Sequence, residues 1–161
     1  MRCLVTGGTG FLGTNIVHQC AEAGHSVKAM GLQGDATRYI EDVADEIIEG
    51  DVTVVRDVLE ATRGVDAVIH VAGDTSFWKK RFNRQREINV EGPRNIAEAC
   101  LENGVKRLVH TATVDVLGYN PDGLADESWE DFNYAGIGYN YAETKRDSEK
   151  IVLSYNGNDL E

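Results

Sequence analysis

The sequence predicts an α/β fold, a doubly wound parallel sheet of about five strands with helices on both faces. Three observations predict it. Short apolar runs bounded by turn residues alternate with helical patterns five times, the signature of parallel strands joined by helical crossovers. All runs but the second are rich in Val, Ile or Leu, as strands covered on both faces are. Gly7, Gly10 and Gly13 follow the first run at three-residue spacing, where the first crossover must turn from strand to helix.

The elements follow in order. Strands are predicted at Arg2–Thr6, Ser26–Met30, Glu46–Glu49, Ala67–Val71 and Arg107–Thr111. The first helix, about Phe11 to Ala23, carries Leu12, Ile16, Cys20 and Ala23 on one stripe and stops at Gly24. A second, Val54 to Thr62, ends near Gly64. A long helix from roughly Asn83 to Asn103 turns Ile96, Cys100 and Leu101 inward and closes at Gly104, and a last one, about Tyr139 to Tyr155, lines up Ile151, Val152 and Tyr155. Pro93 interrupts the long helix. It cannot donate to the Asn89 carbonyl and its ring crowds that group, a cost of about 3 kcal/mol in mid-helix, so a kink or a new helix start is expected there. Two loops, Asp74 to Phe82 and Gly118 to Gly138, lie with the glycine turn at the carboxyl ends of the strands, where open parallel sheets bind ligands.

With 161 residues the chain has a one-domain length, and its 42% hydrophobic share suits one buried core. A formal charge of −11 disfavours nucleic acid and anionic membrane as partners, because that field repels phosphate at long range. No apolar stretch approaches the ~20 residues that span a bilayer, and the N-terminus lacks a basic segment followed by an apolar one. Cys3, Cys20 and Cys100 form an odd set without paired spacing, so neither a disulfide framework nor a zinc site is expected, and a cytoplasmic location fits. His18, His25, His70 and His110 are scattered, which suits core or surface roles rather than a metal.

Chemistry gathers at two places. In "LVTGGTGFLG", Leu4 to Gly13, a tight turn, close backbone approach to a pyrophosphate and close helix packing each need a residue without Cβ, and free N–H groups at the helix start then face the phosphates. The G-x-x-G-x-x-G spacing is a variant of the usual dinucleotide fingerprint. Tyr141 and Lys145, four apart, share one helix face and can meet one reaction centre. A phenol of pKa ~10 must fall to near 7 to act as acid and base, and one ammonium ~4 Å away supplies about the ~4 kcal/mol required. Lys79, Lys80, Arg81, Arg84 and Arg86 cluster in an otherwise acidic chain, read as a solvated loop and helix start.

"TGGTGFLG" (Thr6–Gly13), "EGDVT" (Glu49–Thr53), "VIHVAG" (Val68–Gly73), "INVEGPRNIAEAC" (Ile88–Cys100), "VKRLVHTATVDVLG" (Val105–Gly118) and "YAETKRDSEKIV" (Tyr141–Val152) occur in the order and spacing of the extended short-chain dehydrogenase/reductase superfamily, the NAD-dependent epimerase/dehydratase group. "HVAGDTSFW" and "VLG" most resemble its dihydroflavonol reductase and hydroxysteroid dehydrogenase-like branch. The resemblance implies a Rossmann-like sheet in the order 3-2-1-4-5, bound NAD or NADP, and hydride transfer at a carbonyl or carbinol carbon of a small molecule. Thr113, Tyr141 and Lys145 take the catalytic positions; Ala112 stands where Ser is usual. Gly7, Gly10, Phe11, Leu12 and Gly13 take the phosphate turn, Asp51 the adenine-amino acceptor with Val52 beside the ring, and Val71, Ala72 and Gly73 the strand beneath the cofactor. Asn89 matches a supporting asparagine. Gly31 and Leu32 replace the acid expected after the second strand, and that missing carboxylate alone tilts the expectation toward NADP, since Asp35 and Arg38 a few residues on could serve either cofactor. The resemblance further implies a homodimer through the two long helices. The family continues past Glu161 into a smaller substrate region, so residues 1–161 read as the cofactor-binding half of a longer enzyme, with an unpaired last strand. A nucleotide-sugar epimerase or dehydratase, with Asp115 as extra acid, is the second enzymatic expectation, and a non-catalytic dinucleotide sensor the third.

Overall fold

The computed structural model describes residues 1–129 and 131–161. Five strands, β1 (Arg2–Thr6), β2 (Ser26–Gly31), β3 (Glu46–Glu49), β4 (Ala67–His70) and β5 (Arg107–His110), form one parallel sheet in the order β3-β2-β1-β4-β5. Val71 and Thr111, expected in the fourth and fifth strands, lie one residue beyond the ladder. The helices are α1 (Phe11–Glu22), α2 (Val55–Thr62), α3 (Phe82–Arg86), α4 (Gly92–Asn103) and α5 (Asn140–Ser154). Gly24, Gly64 and Gly104, expected to stop helices, adopt φ of +79°, +69° and +71°.

Alternate residues of β1 divide the core. Leu4 and Val68 face one side, with Ile96 and Cys100 of α4; Val5, Val27 and Ala29 face the other, with Val17 of α1 and Ile40. The stripe expected on α1 is displaced. Its fully buried positions are Gly13 and Val17, while Leu12 is exposed, because the helix begins at the sheet's ligand-binding end and its first turn looks into a cleft. β2 departs from the apolar pattern for a visible reason. Lys28 is buried, and its ammonium donates to the carbonyl of Ala61 (3.2 Å) in the last turn of α2, where helical carbonyls lack intrahelical partners.

Pro93 restarts the helix, as its missing N–H requires. α3 runs into a π-helical turn, Glu87–Glu91, and α4 then begins with Pro93 in its first turn. The β5 edge, expected to be unpaired, is partly covered. Glu161 donates to the Lys106 carbonyl (3.0 Å) and accepts from the Leu108 N–H (2.7 Å), the bonding of a parallel neighbour.

Candidate functional site

A cleft of about 560 Å3 opens at the carboxyl ends of β1, β2 and β4. The glycine turn forms its floor, and the three glycines have separate duties. Gly7 has φ +66°, and a Cβ there would stand 2.9 Å from the backbone of Ala72. A Cβ on Gly13 would lie 2.0 Å from the Gly7 carbonyl oxygen. Gly10 has only that oxygen nearby, at 3.2 Å, so its absent side chain leaves space in the cleft. Gly10 also caps α1, and among the described residues no side chain bonds the first helical N–H groups of Phe11, Leu12 and Gly13. Val71, Ala72 and Gly73 line the cleft at the end of β4, and Asp51 and Val52 at the end of β3.

Past β2, Asp35 lines the cleft and Arg38 does not. One Asp35 oxygen accepts from the Leu32 N–H (2.9 Å) and the Thr9 hydroxyl (2.6 Å), whereas the Arg38 guanidinium covers the Tyr39 ring at 4.3 Å. Across the cleft, Arg84 donates from Nη2 to Asp51 Oδ2 (2.6 Å). Asp51 Oδ1 accepts both the N–H (2.9 Å) and the hydroxyl (2.8 Å) of Thr53. Burial works against the Asp51 charge, yet these bonds and the guanidinium hold its pKa below the usual carboxylate value. All three arginines of the basic cluster are therefore paired: Arg81 bonds Asp74 (3.0 Å) and Arg86 bonds Asp147 (2.7 Å).

Thr113, Tyr141 and Lys145 do not line this cleft; they gather at the end of β5, the strand beside β4. α5 places Lys145 one turn after Tyr141, buried, with its ammonium on the Thr111 carbonyl (2.5 Å). Burial lowers the Lys145 pKa to about 8, against a smaller upward pull from Glu149. Tyr141 departs from the expected direction. Burial raises its pKa and the Asp115 carboxylate adds to the rise, while the Thr113 hydroxyl opposes it. The Lys145 ammonium is directed at a backbone carbonyl instead. Asn89 ties the two regions together: it bonds the Asp74 N–H (2.7 Å) and carbonyl (2.9 Å) and the Thr144 hydroxyl of α5 (3.2 Å).

Some of this arrangement has no sequence signal. Asp115 Oδ2 accepts from the Tyr139 hydroxyl (2.9 Å) and the Thr113 hydroxyl (3.2 Å). Burial, with the Asp115 bond second, pushes the Tyr139 pKa up to about 12. Phe77, 74% exposed, stacks on Tyr139 with ring centres 6.0 Å apart and stands 6.4 Å from Tyr141; Tyr134 extends this aromatic wall. Behind Lys145, the side-by-side His70 and His110 rings stack at 5.4 Å. Burial, then repulsion from Lys145, lowers His110 to about 4, and His70 is lowered by burial and by both neighbours.

The sheet order, the glycine-floored cleft and the adjacent Tyr141–Lys145 helix define a Rossmann-like chain of the short-chain dehydrogenase/reductase kind. The chain belongs to the 3-beta hydroxysteroid dehydrogenase/isomerase family, whose model matches residues 4–161. Two curated relatives are a sterol demethylase protein B of Methylococcus capsulatus, 31% identical over 95% of this chain and 46% of its own length, and a 2-alkyl-3-oxoalkanoate reductase of Stenotrophomonas maltophilia, 36% identical over 97% and 47%. The chain thus spans about half the length of the curated relatives it matches. Among solved structures, a short-chain dehydrogenase/reductase superfamily protein of Agrobacterium tumefaciens with bound NAD superposes with a TM-score of 0.81 at 25% identity, covering 96% of this chain and 45% of that one.

Proposed function

We propose that this chain is the cofactor-binding and acid-base half of an NAD-dependent oxidoreductase that moves a hydride to or from a carbonyl or carbinol carbon of a small molecule. The observation that carries the reading is the cleft itself. Open space at Gly10, the uncapped N–H groups of Phe11 to Gly13 and the Asp35 carboxylate follow one another along it, and these suit in turn a pyrophosphate and a ribose diol. The bound NAD of the Agrobacterium tumefaciens protein supports the same ligand. Asp35 favours NAD over NADP: its carboxylate accepts from ribose hydroxyls and repels a 2′-phosphate, and Arg38 is turned away onto Tyr39. The tilt toward NADP read from the missing acid after β2 is thereby reversed in this proposal.

Bound NAD supplies the hydride acceptor and, reduced, the hydride donor. The chain's own residues handle the proton. The Tyr141 phenol gives a proton to the substrate oxygen in reduction and takes one in oxidation. The Thr113 hydroxyl donates to Asp115 in the present arrangement and turns its proton to the phenolate or substrate oxygen as charge develops there. Lys145 leaves the Thr111 carbonyl to lend its charge to the phenolate, which answers the raised pKa of Tyr141 in the present arrangement. Asp115 Oδ2 accepts from the Thr113 and Tyr139 hydroxyls and so orients both beside Tyr141. The free thiols of Cys3, Cys20 and Cys100 suit a cytoplasmic setting, and α4 and α5 are the helices through which a homodimer forms in this reading.

Parallel fluorescence titrations with NADH and NADPH test the proposal. NADH is expected to bind at least about tenfold more tightly, and Asp35→Asn to narrow the gap. Failure of both nucleotides to bind overturns it.

A further inference from the structure

We propose that Arg84 is an adenine-recognition residue: it pins the Asp51 carboxylate so that one acceptor position, on Oδ2, is left to face the exocyclic amino group of an adenine. The inference rests on the dinucleotide reading above and gives a role to one residue of the basic cluster that the sequence reads as a solvated loop and helix start.

A carboxylate offers about four acceptor positions over its two oxygens. On Asp51, Oδ1 is filled by the N–H and hydroxyl of Thr53, and Oδ2 holds one bond, from Arg84 Nη2 at 2.6 Å. The backbone beneath is fixed as well, since the Asp51 N–H donates to Asp57 Oδ2 at 3.0 Å. One position on Oδ2 therefore remains. The guanidinium is held in its turn: Nη1 donates to Glu87 Oε2 (3.1 Å) and to Thr53 Oγ1 (3.2 Å), so its fork bridges three partners, which an ammonium reproduces less well. Arg84 and Ile88, one turn apart, line the same cleft as Val52 and Leu32. A planar base entering there meets apolar side chains. Arg81 and Arg86 bond carboxylates away from the cleft lining and do not share the role.

The chemistry predicts discrimination. A pinned carboxylate can only accept, so it favours adenine, whose amino group donates, over hypoxanthine, which carries a carbonyl in its place. The test titrates the whole chain with NADH and with reduced nicotinamide hypoxanthine dinucleotide, for wild type, Arg84→Ala and Arg84→Lys, with circular dichroism confirming that each variant is folded. Wild type is expected to prefer NADH. Both variants are expected to lose about threefold to tenfold in NADH affinity and less than about twofold for the hypoxanthine analogue, so that the preference collapses. Arg84→Lys keeps the charge and loses the fork, which separates adenine recognition from general attraction for phosphates. An unchanged preference in both variants, equal weakening of both nucleotides, or a wild type that binds the two alike overturns the role of Arg84 while leaving the dinucleotide reading intact. A wild type that binds neither overturns that reading and this inference with it.

Discussion

Gly10 and Gly13 belong to one motif but carry different burdens. A methyl on Gly13 meets the Gly7 carbonyl oxygen at 2.0 Å and the Gly8 Cα at 2.8 Å, and neither backbone atom can yield without moving the end of β1. Gly13→Ala is therefore expected to cost about 2–4 kcal/mol, read as a lowered urea midpoint. Gly10→Val projects into the open cleft; it should change stability by less than about 1 kcal/mol and abolish NADH binding. A normal titration of Gly10→Val would remove the pyrophosphate from that position. Lys145 shows the opposite trade. Its buried ammonium, with a pKa lowered to about 8, is a burden on folding, so Lys145→Met should gain on the order of 1 kcal/mol at pH 7 while losing turnover. The unfolded chain keeps the Lys145 proton up to about pH 10.4 and the folded chain releases it near 8, so wild-type stability relative to the variant rises between those values. Thermal melts of the pair at pH 7 and pH 9.5 check it; a constant difference would show that the lysine does not titrate there.

The junction of α3 and α4 shows how a proline is absorbed without breaking the site. The π-helical turn Glu87–Glu91 widens the backbone just before Pro93, and it is this turn that presents Asn89 to the Asp74 backbone and to Thr144. Because Pro93 lies in the first turn of α4, Pro93→Ala should alter stability by less than about 1 kcal/mol, well short of the ~3 kcal/mol of a mid-helix proline. A larger effect in denaturant titration would mean that the turn depends on the ring. The proline was legible because its missing N–H has one local consequence, and the strands because apolar runs between turn residues have few other solutions. The glycine turn was legible for the same local reason. The Arg84–Asp51 bond, the Asp115–Tyr139 bond and the aromatic wall of Phe77 and Tyr134 were not, since each joins segments whose meeting depends on loop paths that periodicity does not encode. Four-residue spacing puts Lys145 on the Tyr141 face of α5, but the Thr111 carbonyl decides where its ammonium points, and spacing does not encode that contact.

Across the whole molecule, the parallel sheet brings His70 of β4 against His110 of β5 in the wall between core and site. Each ring makes one bond, His70 Nδ1 with the Thr6 hydroxyl (2.7 Å) and His110 Nε2 with the Ser148 hydroxyl (3.0 Å), and among the described residues neither second nitrogen has a partner. Protonating either ring places a charge among buried groups beside Lys145, which is why both are held neutral. Their folded pKa values lie below the unfolded value of about 6.5, so the unfolded chain binds the extra protons first, and stability is full above that pH and lost as pH falls toward 4. For His110, held at about 4, the loss across that window is on the order of 3 kcal/mol. Asp51 and Asp74, whose pKa values are lowered from 3.8, surrender their contributions only at lower pH, so the two effects separate. Urea midpoints measured from pH 7 to pH 4 should fall steeply for wild type and less steeply for His110→Gln, which keeps a polar group beside Ser148 and cannot take up a proton. Parallel slopes for the two proteins would place the acid sensitivity outside the histidine pair.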